Sequence, residues 1–222
     1  MTQPPTEPPT GPPTGPPTPP PVHEHPQTMY VPRFFIRQRI TLMVNQYELL
    51  QANPDGSDGP LLAFAQQKRM AFKEQVTFYA DAAKSQPVFS FRARKRLDLG
   101  AGYDVLDPTG KPLGYFRKDF GKSLLRSSWS LSGPGLEAFG QERRPFLAVL
   151  RRVWEFIPYI GEVWVPFVFH FDFMDTSTGE PVMASERALT IRDRYTVTVP
   201  DERLDFRVAA SMAVALDALQ SR

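Results

Sequence analysis

The chain has 222 residues, 41% of them hydrophobic, a net charge of +2 and no cysteine. The absence of cysteine excludes disulfides, thiolate metal sites, cysteine nucleophiles and S-palmitoyl anchors together, while the length suffices for one substantial core. The small net charge hides an asymmetry: residues 68–152 hold 17 Lys and Arg against 8 Asp and Glu, whereas residues 153–222 hold 6 against 11.

Met1 is followed by neither a basic stretch nor an apolar run, so no secretory signal is read and a cytoplasmic location is expected. From Pro4 to Pro21 the chain repeats Pro-Pro-Thr units and offers no large apolar residue before Val22. Such a segment has nothing to bury, so residues 1–28 are expected as a disordered, Pro-rich tail with the folded domain over 29–222. His23-Glu24-His25 sits in this tail; two imidazoles and a carboxylate without a framework make no formed metal site, and no metal is expected.

Three turn signals then recur: Asn53-Pro54-Asp55-Gly56, Asp107-Pro108-Thr109-Gly110 and Asp175-Thr176-Ser177-Thr178-Gly179. Asp or Asn supplies the side-chain bond, and Gly the positive φ, that tight turns need. The flanking runs predict three hairpins: 46–52 with 61–66, 103–106 with 112–117, and 163–174 with 181–188. Between the first two lie 66–74, read as a loop or single helical turn, and a strand over 89–99. In that strand Phe89, Phe91, Ala93, Leu97 and Leu99 face one way, and Arg92, Arg94 and Arg96 the other.

Gly121-Lys122-Ser123 echoes the end of a phosphate-binding loop. Six residues separate Gly114 from Gly121 instead of four and no helix follows, so a turn is the expected structure. Pro145, Phe146, Val149, Leu150, Val153 and Trp154 predict a short amphipathic helix. In the run 163–174, Val163, Val165, Phe167, Phe169, Phe171 and Phe173 fall on one face and require a deep core. His170 and Asp172 share the other face. No Gly-x-Ser-x-Gly or similar nucleophile motif accompanies them, so a structural histidine is expected and no catalytic residue is assigned.

The last stretch, 201–219, is apolar nearly all round: Leu204, Val208, Met212, Ala215 and Leu219 form one stripe, and five further Ala, Val and Leu cover most of the rest. A helix of this kind must be wrapped by other structure. Ser211 and Asp217 interrupt it well short of the roughly 20 apolar residues of a membrane span, so no transmembrane span is expected. The predicted fold is mainly β: a closed antiparallel barrel of about ten to twelve strands enclosing a C-terminal helix.

This order of elements resembles the tubby C-terminal-like superfamily, which includes the phospholipid scramblases and the LURP-one-related proteins. The resemblance rests on Phe35-Ile36-Arg37-Gln38-Arg39-Ile40 leading to Tyr47-Glu48-Leu49, and on the 103–118 hairpin. It rests also on Phe169-His170-Phe171-Asp172-Phe173, and on Asp205 leading into the apolar helix. It implies a barrel around a C-terminal helix, no enzymatic activity, no cofactor, and binding of anionic phospholipid. The scramblases' cysteine-rich run is missing, and Asp201, Glu202 and Asp205 lack the spacing of a calcium loop, so the resemblance does not extend to scrambling.

The candidate ligand-binding residues are the basic ones at strands and turns of the central segment: Lys68, Arg69, Lys73, Arg92, Arg94, Arg96, Arg117, Lys118, Lys122 and Arg126. Gathered on one face they would attract anionic headgroups as a peripheral site, on the inner face of the plasma membrane. Nucleic acid is not expected, because the net charge is small and no exposed aromatic interleaving is visible. The alternative is a protein-interaction scaffold, with the barrel surface and the Pro-x-x-Pro tail recruiting a partner that reads polyproline II.

Overall fold

The computed structural model describes residues 28–40, 44–68, 75–94, 102–119, 128–142, 170–188 and 194–220. Twelve strands run in chain order: β1 (Arg33–Ile40), β2 (Val44–Ala52), β3 (Asp58–Lys68), β4 (Gln75–Tyr79), β5 (Pro87–Ala93) and β6 (Tyr103–Leu106), then β7 (Pro112–Asp119), β8 (Ser128–Gly133), β9 (Leu136–Glu142), β10 (His170–Asp175), β11 (Pro181–Ala188) and β12 (Arg194–Thr198). Helix α1 (Phe206–Gln220) follows them. Every strand pairs antiparallel with its sequence neighbour, and β1 closes on β12, so the sheet has no free edge.

Alternation explains the wall. In β5, Phe89 and Phe91 are buried while Arg92 is exposed; in β10, Phe171 and Phe173 are buried while Met174 is exposed. The inward residues meet α1, whose positions 208–218 are all buried. Phe34 and Phe89 place their rings 5.0 and 6.2 Å from that of Phe206 at the helix start. Five alanines (209, 210, 213, 215 and 218) keep the helix slim enough to be surrounded. Two wall glycines make room where bulk approaches. A Cβ on Gly114 would lie 2.8 Å from the Val208 side chain, and one on Gly140 would strike the Phe173 ring.

The helix begins five residues later than the 201–219 expectation. Residues 201–205 are held in a turn instead: Asp201 accepts from the Arg203 N–H, and the Leu204 N–H donates to the Asp201 carbonyl. Asp205 then caps the helix, its Oδ1 accepting from the Arg207 N–H at 2.8 Å. Its Oδ2 accepts from the Met29 N–H at 3.0 Å, while the Phe206 N–H donates to the Met29 carbonyl. The Tyr30 hydroxyl donates to the Val199 carbonyl, so residues 29–32 lie as a strap across the helix entrance.

That entrance is also the pole of the tight connections, 53–57, 80–86, 107–111, 134–135 and 176–180. All three predicted turn signals are there, with Gly56, Gly110 and Gly179 at positive φ. Asp55, Asp107 and Asp175 accept from the backbone N–H two residues on. At the opposite pole α1 ends.

Several expectations change. Residues 66–68 belong to β3 and form no turn of helix. The described part of the 89–99 strand ends at Ala93, and that of 163–174 starts at His170. Residues 95–99 and 163–169 lie outside the described residues, as does the helix expected from Pro145. The β8–β9 hairpin, unanticipated from sequence, turns at Pro134-Gly135, with Trp129 and Leu131 inward between serines.

Candidate functional site

The described basic candidates occupy neighbouring strands. Cross-strand pairing sets Arg92 opposite Asp104, Asp104 opposite Tyr115, and Arg117 opposite Ser130, so β5, β6, β7 and β8 share one outward surface. Arg92 is exposed, and among the described residues no ion pair or hydrogen bond holds its guanidinium. The carboxylate of Asp104, its direct cross-strand partner, is turned to Arg94 instead. Arg94 Nε and Nη2 donate to Asp104 Oδ1 at 2.9 and 2.8 Å, and the guanidinium lies 3.8 Å over the Tyr115 ring. The bond to Asp104 raises the Arg94 pKa above its ordinary value. Arg117 pairs with Asp119 at 3.3 Å, half exposed.

Lys118 points the other way. It pairs with Trp129, a fully buried inner residue, and its Nζ lies 5.9 Å from that ring. Adjacent residues on a strand face opposite sides, so Arg117 and Lys118 cannot serve one surface. Lys68 contributes its backbone to β3. Arg69, Lys73, Arg96, Lys122 and Arg126 lie outside the described residues.

A second outward cluster was not anticipated. Arg37 and Arg194 are direct cross-strand partners, a placement that would repel. Asp58 resolves it by pairing with both, and Arg194 also stacks 3.8 Å above Phe35.

Inside the barrel, near the end of α1, the lining turns polar. Asp217, buried on the helix, accepts from the Tyr47 hydroxyl at 2.9 Å and from that of Tyr195. Gln38 Nε2 donates to the Tyr47 oxygen at 3.4 Å. Burial, and next the Asp217 charge, push the Tyr47 pKa far above its ordinary value. Glu142 and Arg187 share this inner layer, opposite Phe171 and Tyr195 respectively. The signal was present in sequence: Gln38, Tyr47 and Asp217 each break an apolar pattern at a position whose neighbours face inward.

His170 is half-buried opposite Glu186, and its Nδ1 has no hydrogen-bond partner, so no catalytic dyad with Asp172 is formed through that atom. Among the described residues no group of three His, Asp or Glu could hold a metal ion. No described helix is long and apolar enough to cross a membrane.

The sequence model of the LURP-one-related family matches residues 62–217. The chain belongs to the LURP-one-related family. The closed barrel around a terminal helix agrees with the tubby-like superfamily in which that family sits. No curated protein matches the chain. The family match begins within β3 of the LURP-one-related barrel and ends at Asp217, so it spans the outward arginines of β5 and β7 and most of the core helix.

Proposed function

We propose that this LURP-one-related barrel works by binding rather than catalysis, and that its ligand is an anionic phospholipid headgroup or a similar phosphate-bearing group. The observation that supports this is Arg92. It is an exposed arginine at the end of β5, without an acidic partner among the described residues, flanked by Arg94 and Arg117 on the same surface. Unneutralised charge beside two arginines that retain exposed edges forms a local field that favours phosphate.

Co-sedimentation with phosphatidylcholine vesicles, with and without phosphatidylserine, tests the proposal. Each basic residue near an anionic surface contributes about 1 kcal/mol, so Arg92→Ala should weaken binding about five-fold. Arg94→Ala should do less, because Asp104 already neutralises that charge and would be set free in its place. Lys84→Ala, on the connection before β5, should change nothing. Equal binding of the parent chain to vesicles with and without phosphatidylserine would refute the proposal.

A further inference from the structure

The barrel lining changes character along α1. Around the start of the helix the inward residues are apolar, Phe34, Phe89 and Phe173 among them. Around its end lie Gln38, Asn45, Tyr47, Gln67 and Tyr195, with Asp217 on the helix itself. Asn45 and Gln67 are direct cross-strand partners on β2 and β3. Both face inward, because each stands two residues along its strand from a fully buried inner residue, Tyr47 or Ala65.

These two amides are only half satisfied. The Tyr47 hydroxyl donates its proton to Asp217, so toward Asn45, whose side chain bonds to it, its oxygen can only accept. That fixes the amide, with its nitrogen toward Tyr47 and Oδ1 turned away. Asn45 Oδ1 is buried and has no hydrogen-bond partner among the described residues. The same holds for Gln67 Oε1, on a residue only 7% exposed. Opposed cross-strand side chains have Cβ atoms about 4.5–5.5 Å apart, so the two oxygens can converge on one donor atom. Buried acceptors without a donor are destabilising, and each one calls for a partner. The described inward cations stand apart from the pair along the wall: Lys118 on β7 is four strands from β3, and Arg187 on β11 is three from β2. The Asp217 carboxylate, by contrast, is linked to Asn45 through the single Tyr47 hydroxyl.

We infer that this end of the barrel interior binds a small primary amine, its ammonium group donating to Asn45 Oδ1 and Gln67 Oε1 beside the Asp217–Tyr47 pair. An ammonium carries three N–H donors and no acceptor, which matches a site built of acceptors, and its charge strengthens each bond. The site is reachable. Exposure along α1 rises from 0% at Met212 to 8% at Asp217, and Asn45 is only half-buried. It is separate from the outward arginines of β5 and β7, so it goes beyond the lipid reading and does not depend on it.

Melting of the full chain in methylammonium chloride, against tetramethylammonium chloride at the same ionic strength, tests the proposal. The second cation has the same charge but no N–H to donate. A ligand that binds only the folded state raises its melting temperature. At about five times its dissociation constant, methylammonium should add about 2–4 °C beyond the control. Asn45→Leu and Gln67→Leu together remove both oxygens at similar volume and should abolish that difference. Equal effects of the two salts on the parent overturn the proposal, as does a difference that survives in the double variant. NMR of the Asn45 and Gln67 side-chain amides in the parent gives a reading that does not need the variant to fold. Those signals should shift and saturate with methylammonium, and signals that stay in place overturn the proposal.

Discussion

At the scale of single residues, the inner polar layer is where stability is most exposed to small changes. Asp217 is a carboxylate inside a protein wall, tolerable because two tyrosine hydroxyls donate to it. Tyr47→Phe removes one donor and leaves a buried oxygen with less compensation, so we expect a loss of about 1–3 kcal/mol in urea denaturation at pH 7. The pH dependence has a definite sign. The folded-state pKa of Tyr47 is raised, so above about pH 10 an unfolded chain gives up a proton that the folded chain keeps, and stability falls with rising pH. The phenylalanine variant lacks that proton, so its deficit against the parent should shrink between pH 7 and pH 10.5. A constant deficit would mean that the hydroxyl does not titrate differently in the two states. Asp175 behaves oppositely. Hydrogen bonds from Ser177 come first among the causes that depress its pKa, with Arg203 at 2.7 Å adding to them. The stability it confers is present above the ordinary aspartate pKa and is lost as pH falls from about 5 toward the folded value. Asp175→Asn should therefore melt lower than the parent at pH 7 and approach it near pH 2.

At the scale of elements, two contacts decide whether helix and wall fit. Gly114 admits α1 to β7: even an alanine there would place its Cβ 2.7 Å from the Ser132 carbonyl and 2.8 Å from Val208. Gly114→Ala should cost about 1–3 kcal/mol by overpacking, and Val208→Ala in the same chain should recover part of it. If the double variant is simply the sum of two losses, the two sites are not in contact. The strap at the entrance makes a boundary prediction. Removing residues 1–28 should leave the melting temperature within error, because it spares the Met29 bonds to Asp205 and Phe206. Removing residues 1–32 discards those bonds, the Tyr30 bond to Val199 and buried Val31, and should lower it by several degrees. The elements themselves were largely legible. Asp107 to Gly110 announces its turn through side-chain chemistry, and Phe171 and Phe173 announce their face through period two. What was not legible had no local signature. The serines of β8 hide its alternation, and the start of α1 is set by Met29, 176 residues away along the chain. The basic surface was legible as charge but not as a site, because which arginine is left without a carboxylate among the described residues depends on Asp104 choosing Arg94 over its direct neighbour Arg92.

At the scale of the whole molecule, chain order carries a consequence of its own. All twelve strands precede the helix that fills them, and β1 must await β12 to close the wall. During synthesis the strands therefore emerge before anything exists for their inner faces to cover, and those faces carry Phe34, Phe78, Phe91, Phe116 and Trp129. A half-made chain is a set of unpaired, greasy hairpins, the species most prone to stick to its neighbours. Contacts of such long sequence separation also form slowly, since loop closure has to precede them. Refolding of the released chain should accordingly be slow and concentration-limited. Supplying residues 201–220 ahead of β1 through a flexible linker, as a circular permutant, should raise both its rate and its yield in dilution refolding. If the permutant refolds no faster, late arrival of the helix is not what limits the assembly of this barrel.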